Sequence, residues 1–344
     1  MRRLLLRDPG PVDSDRLTAD RRDDPPAPAA GEVLVRVHAC AVCRTDLQIV
    51  TGDLPAHRLP VVPGHQVVGR VAAVGDGVDP ARVGSRVGLA WIAGACGECR
   101  FCRSGRENLC PDATFTGWDV DGGYADTALA RSDFAFDLPD LGPAYDDAPG
   151  GADAAIAPLL CGGVIGYRSL RVAGMDAGQR GARLGLYGFG ASATIVVQVA
   201  RHWGLEPYVV TRSAGEAERA LALGAVWAGT YDEPPPVRLD AAITFAPAGF
   251  VVAAAVKALD LGGTVAINAI HLDEVPAMDY DDLWLERSIR SVANVTRDDV
   301  REFLALVPAA GVRTEYEVLP LDDANEALRR LDAGLVRGAF VLVT

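Results

Sequence analysis

The sequence almost lacks lysine: among 344 residues Lys257 is the only one, and the remaining cationic side chains are arginines. That bias is the mark of a G+C-rich coding genome rather than of a binding surface. A basic patch is missing too. With a formal net charge of −13, nucleic acid and anionic membrane surfaces would be repelled, which argues against both as partners. Long apolar runs are absent: the stretches Pro158 to Tyr167 and Leu184 to Ala200 are broken by glycines and polar residues. Neither makes the uncharged span of about 20 residues that a membrane helix needs. Behind the basic start Met1-Arg2-Arg3, the apolar Leu4 to Leu6 is cut off by Arg7-Asp8-Pro9, too early for a signal peptide, so a cytoplasmic location is expected. There is no internal repeat, and Pro234-Pro235-Pro236 reads as a short loop, not a domain linker.

What is present is the composition of a folded protein, 49% hydrophobic and 23% charged, in a chain long enough for two domains with separate cores. The first part is β-rich, with strands expected over Glu32 to Ala39, Val67 to Val74 and Arg86 to Trp91. Beyond about residue 162 strands and helices alternate. Apolar runs at Arg183 to Tyr187, Glu206 to Thr211, Ala241 to Phe245 and Thr264 to Ala269 imply a parallel sheet covered by helices. Helical spacing over Gly249 to Leu261 predicts a crossover helix stopped by Gly262-Gly263. Helices are also expected over Asp298 to Val307 and Asp322 to Leu331, and a last strand over Gly338 to Val343 that returns to the first domain.

Seven cysteines, an odd number at short spacings, read as thiolate ligands in a reducing compartment rather than as disulfides. Cys96, Cys99, Cys102 and Cys110 have the spacing of a closed tetrahedral zinc site. Four sulfurs leave no position for water, so such a site shapes a loop and does no chemistry. Cys40, Cys43 and Cys161 remain, with His65 in Pro63-Gly64-His65-Gln66 as a nitrogen donor. A zinc held by Cys43, His65 and Cys161 would keep one position open for a substrate oxygen. Spacing alone leaves a second reading, in which each of the three is simply a core residue.

Strand Leu184 to Tyr187 runs into Gly188-Phe189-Gly190-Ala191-Ser192-Ala193 and then a helical stripe over Thr194 to Trp203. This is the order of a dinucleotide cradle. Gly188 permits the tight turn, Gly190 lets a pyrophosphate approach, and Ala193 keeps the helix close to the sheet, with Ala191 and Ser192 also counted among the cofactor-binding residues. At the end of the next strand, Thr211-Arg212-Ser213 puts an arginine where a carboxylate would hold the ribose diol of NAD. Arginine pairs with a 2′-phosphate, so NADP is favoured over NAD; the competing reading is a solvated surface arginine.

Together these features resemble the zinc-dependent medium-chain alcohol dehydrogenase family along nearly the whole chain. Residues 39–47, Pro63-Gly64-His65 and Pro158-Leu159-Leu160-Cys161 are similar to its three catalytic-zinc segments, and Cys96 to Cys110 to its four-cysteine lobe. Thr116-Gly117-Trp118 and Asp121 to Ala125 match the stretch that follows. The resemblance implies an α/β protein: a discontinuous GroES-like catalytic domain, residues 1–162 and 297–344, with a Rossmann domain, 163–296, inserted. It implies two zinc ions per chain and a homodimer or homotetramer joined through edge strands of the cofactor domain, over Ile289 to Val295. It further implies that Thr45 bonds the substrate alcohol and begins proton removal, Asp46 supports the zinc ligands, and Arg44 reaches the pyrophosphate.

Two positions depart from the family. Gln66 replaces the usual glutamate after the ligand histidine. Gln48 replaces the histidine that many members use to pass a proton to solvent, so the relay must run through water or through His57 or His271, each of which also reads as a solvated loop residue. Trp91, Trp118 and Tyr124 are candidate walls of a pocket for medium-sized apolar or aromatic alcohols and aldehydes, or else plain core. The leading reading is an NADPH-linked aldehyde reductase. The alternatives are a biosynthetic reductase for an iminium or conjugated enone, and a zinc- and nucleotide-binding homologue without turnover.

Overall fold

The computed structural model describes residues 1–23, 25 and 27–344, and the chain divides into two compact units. One comprises 1–161, 294–308 and 313–344; the other comprises 162–293 and 309–312.

The first unit is built on a seven-stranded sheet. Tyr316–Pro320 pairs with Ala339–Val343, which lies antiparallel to Glu32–Val42; Gln66–Val74, Arg86–Leu89 and Ala135–Asp137 follow in order, and Thr127–Arg131 also pairs with Glu32–Val42. The last strand therefore returns to the first sheet, as the sequence led us to expect. Val33, Val35 and Val37 alternate inward along the Glu32–Val42 strand and pack with Val67, Val71, Val87 and Phe340. Each such fully buried apolar side chain stabilises the fold by about 1.5–3 kcal/mol. The third expected strand ends at Leu89 rather than at Trp91, which leaves Trp91 outside the ladder.

The second unit carries a six-stranded parallel sheet in the spatial order Trp227–Thr230, Glu206–Thr211, Arg183–Tyr187, Leu239–Thr244, Leu259–Ile267, Ser288–Ser291. The order reverses between Arg183–Tyr187 and Leu239–Thr244, the switch point at which doubly wound sheets bind ligands. The Gly249–Ala258 helix covers one face, with Val251, Val252, Ala255 and Val256 against Tyr187, Leu239 and Val265. This corrects the expected helix end at Gly262-Gly263: the helix stops at Ala258, and both glycines lie within the Leu259–Ile267 strand. Leu259 already pairs with Leu239, and the ladder breaks register before Ala241 pairs with Thr264; the glycines occupy that irregularity. Among the described residues no helix is long and apolar enough to cross a membrane.

Candidate active site and metal centres

Cys43 ends an extended segment and caps the Arg44–Thr51 helix, which brings Thr45 and Asp46 into its first turn. One oxygen of Asp46 accepts the Cys43 backbone N–H at 2.9 Å; the other accepts the Gly64 N–H at 3.2 Å and bonds His65 Nδ1 at 2.8 Å. Asp46 thus closes the helix start and orients the imidazole at the same time. The loop before His65 is zipped to residues 122–124: Gly122 N–H donates to Val62, Gly123 to Gly64 and Tyr124 to Pro63. Gly64 has φ +97, and a Cβ there would stand 2.4 Å from the Tyr124 ring; only glycine lets the histidine loop lie this close.

Cys161 follows a short turn over Ala157–Leu160, and its Sγ lies 3.9 Å from that of Cys43. The donor atoms of Cys43, His65 and Cys161 all lie within 4.8 Å of one another. His65 is fully buried, and among the described residues its Nε2 has no hydrogen-bond partner. A buried nitrogen without a partner is costly, and with Nδ1 held by Asp46 and two sulfurs beside it, the donor set fits a metal with one position left open. Burial opposes the His65 imidazolium, but the Asp46 carboxylate and Cys43 outweigh it and push its pKa up to about 10. The Cys43 thiol is held well below its ordinary value by the hydrogen bond from Cys161 and by His65, against burial, while the Cys161 thiol is pushed up by Cys43 and by burial. Gln66 is buried and its amide donates to the Ala41 carbonyl at 3.3 Å, a bond an ionised glutamate could not make.

The second cluster stands apart from the first in chemistry. Sγ–Sγ distances are 3.8 Å for Cys96 and Cys102, 3.6 Å for Cys99 and Cys102, and 3.5 Å for Cys110 and Cys96. Backbone N–H groups of Glu98 and Cys99 lower the Cys96 thiol to about 7. Four convergent sulfurs with amide donors around them can enclose a metal fully and leave nothing for a substrate.

An aromatic cluster borders His65. The Trp91 ring meets it edge-on at 5.0 Å and stacks at 5.1 Å on Phe115 and 5.8 Å on Trp118; Trp118 in turn stacks at 3.6 Å on His57. His57 is exposed and bonds Asp119 at 2.6 Å. Tyr124 is a correction. It is 0% exposed and packs in the main core against Gly64 and Cys40, so it supports the histidine loop and is not a pocket wall. Gln48 contributes its backbone carbonyl to the turn after the helix, accepting from Gly52 and Leu54. Arg44 is exposed at the helix start in this unit, and His271 is exposed in the other.

In the second unit, Gly188 has φ +92, and a Cβ there would press on the Ala246 backbone at 3.0 Å. A side chain would close the switch point. The Ala191–Trp203 helix begins three residues before the expected Thr194; Gly190 caps it with no side-chain bond, Gly190 and Ala191 are exposed, Ser192 half-buried and Ala193 buried. Uncapped N–H groups at such a helix start are suited to a phosphate. Arg212 is 84% exposed. Sequence reasoning missed its neighbour Glu216, which accepts a hydrogen bond from Thr211, donates its backbone N–H to Ser213 and lies 4.0 Å from Arg212. The signal was there: an acid four residues after Arg212, in the first turn of a helix capped by Ser213.

Comparison with known proteins bears on this geometry. Residues 29–140 match the family model described as alcohol dehydrogenase GroES-like domain. The chain is 47% identical over 98% of its length, and 96% of the relative's, to a protein of Mycobacterium tuberculosis named probable alcohol dehydrogenase. It is 35% identical to an alcohol dehydrogenase of Geobacillus stearothermophilus, covering 91% of each chain. Among solved structures, a cinnamyl alcohol dehydrogenase from Sorghum bicolor superposes with a TM-score of 0.86 at 26% identity, covering 99% of this chain and 97% of that one.

Proposed function

The chain belongs to the medium-chain alcohol dehydrogenase family, and from that premise we propose that it is a zinc-dependent enzyme moving a hydride between NAD(P)H and an alcohol/carbonyl pair. The observation that carries the reading is the buried, unpartnered Nε2 of His65, with Nδ1 fixed by Asp46 and the Cys43 and Cys161 sulfurs beside it. A zinc ion held there would supply Lewis acidity toward a substrate oxygen. The chain's own residues do the rest. Asp46 keeps the imidazole in one tautomer and one orientation. Thr45, buried at 6% exposure with its Oγ1 3.8 Å from Cys43 Sγ, is the hydroxyl that exchanges a proton with the substrate oxygen. Trp91 and Trp118 supply an apolar wall that keeps water from the reacting carbon and suits medium-sized apolar or aromatic substrates.

The first unit serves as the catalytic domain and the second as the cofactor domain in this reading. Gly188, Gly190, Ala191, Ser192 and Ala193 form the pyrophosphate cradle. Thr211, Arg212 and Ser213 meet the adenosine ribose, with Arg212 favouring NADP. The four-cysteine cluster holds a second, structural zinc. Proton release falls to His57, His271 or water in place of Gln48. The unpaired edge of the Ser288–Ser291 strand supports self-association as a homodimer or homotetramer.

The test is turnover. NADPH oxidation with benzaldehyde or an aliphatic aldehyde, lost in Cys161→Ser, is expected. Turnover confined to imines or enones would replace the substrate class, and no turnover with any of these would contradict the reading.

A further inference from the structure

Asn294 has φ +52, a left-handed conformation that asparagine tolerates better than other residues with a side chain. Its amide bridges two groups of opposite character. Oδ1 accepts the Trp91 indole N–H at 3.2 Å, and Nδ2 donates to the Asn108 carbonyl at 3.4 Å. An indole only donates and a carbonyl only accepts, so the two partners fix which way the amide points. Three residues on, Arg297 donates its backbone N–H and its Nε to Glu107, at 2.9 and 3.2 Å. Glu107 is 4% exposed, sits next to Asn108 and lies three residues before Cys110. Residues 294–297 are therefore clamped to the four-cysteine lobe, and the clamp presents Asn294 to the one polar atom of Trp91. That ring, stacked on Phe115 and Trp118, turns its edge to His65.

We propose that Asn294 is a positioning residue: it locks the Trp91 indole beside His65, so that the four-cysteine lobe sets the shape of the substrate pocket through Asn108, Asn294 and Trp91. The inference deepens the reading above and rests on the Cys43, His65, Cys161 site being the catalytic one. Without the amide, only stacking and apolar packing hold the ring, and these permit it to slide and tilt; the N–H bond selects one orientation. Substrates that must lie flat against the indole, aromatic aldehydes, depend on that orientation. Small aliphatic aldehydes do not.

Three substitutions separate this role from general stability. Asn294→Gly keeps the left-handed backbone accessible and removes both bonds. Asn294→Asp keeps an acceptor for the indole, and Trp91→Phe keeps an apolar ring without the N–H. Each is measured for KM and kcat with benzaldehyde and acetaldehyde, for zinc content, and for the indole resonance of Trp91 in a nitrogen–proton correlation spectrum, identified by its loss in Trp91→Phe. Asn294→Gly is expected to move that resonance and raise the benzaldehyde KM roughly 10-fold, the worth of one neutral hydrogen bond, with acetaldehyde KM, kcat and zinc content within about twofold. Asn294→Asp recovers most of the KM, and in the Trp91→Phe background Asn294→Gly adds little. An unmoved resonance, or an equal KM effect in both backgrounds, overturns the proposal. Should the wild type reduce no carbonyl compound, the functional reading fails separately, and an unmoved resonance in Asn294→Gly still overturns the contact between Asn294 and Trp91.

Discussion

Asp46 Oδ1 bonds His65 Nδ1 at 2.8 Å in a site where both side chains are essentially shielded from water, and this contact leaves Nε2 as the free donor of the pair. The carboxylate is engaged on both oxygens, since Oδ2 accepts the Cys43 N–H. One residue therefore sets the position of two of the three candidate ligands. Asp46→Asn introduces an N–H₂ where a donor already stands and removes the charge that favours a strongly polarised imidazole. Zinc affinity at the open site, measured by chelator competition, is expected to fall roughly 10–100-fold, with the four-cysteine site unaffected.

In the proposed cofactor site, Arg212 and Glu216 are the residues that would decide between NADPH and NADH. Among the described residues the exposed guanidinium has no close anionic partner beyond Glu216 at 4.0 Å, and a 2′-phosphate would provide one. Arg212→Asp should weaken NADPH roughly 10–100-fold more than NADH, the range of a charge-assisted hydrogen bond. Equal losses for both cofactors, measured by fluorescence titration, would remove Arg212 from the binding site. Glu216→Gln, which removes the competing negative charge, should move preference further toward NADPH.

Proton release is tested at His57 and His271. His57 bonds Asp119 and stacks on Trp118, so it stands at the edge of the aromatic wall. His57→Ala is expected to shift the acidic limb of the kcat pH profile if the relay runs through it, and His271→Ala if it runs there. Unchanged profiles in both variants would assign proton release to water.

Much of this was legible in the sequence because the informative residues carry their own chemistry. Four cysteines at short spacing and a glycine turn between an apolar run and a helical stripe read directly as a closed metal cluster and a dinucleotide cradle. The Cys43, His65, Cys161 site was less so. Its ligands are far apart in the chain, and spacing alone left the core reading open until the family resemblance was added. Asn294 was not legible, since both partners of its amide, Trp91 and Asn108, are distant in the chain; Glu216 carried a local signal, an acid in the first turn of the helix capped by Ser213, that went unread. Tyr124 misled for a related reason: an aromatic near the motif reads as a wall, and only its burial against Gly64 shows it to be core. The Gly262-Gly263 pair misled because glycines that end a helix and glycines that bend a strand look alike without the register.

Glu107 gives a pH-dependent stability test. Burial raises its pKa, but the Arg297 backbone and guanidinium donors outweigh this and hold it below the ordinary value. A depressed carboxylate contributes stability above the unfolded-state pKa of about 4.3 and loses it as pH falls through the folded-state value. Glu107→Gln should therefore cost about 2 kcal/mol at pH 7, the worth of hydrogen bonds to a charged group, and the gap from wild type should close as pH falls below about 4. Denaturant melts at several pH values check this; a gap independent of pH would contradict it.

The central claim is that the chain holds two zinc ions, one of them in an open site made by Cys43, His65 and Cys161. Zinc per chain in the purified protein, measured by elemental mass spectrometry beside the Cys161→Ser variant, tests it most directly. The account predicts about two zinc ions in the wild type and about one in the variant, one for each of the two donor clusters. One zinc in both would mean that the open site does not hold the metal, and the zinc-dependent mechanism would be contradicted.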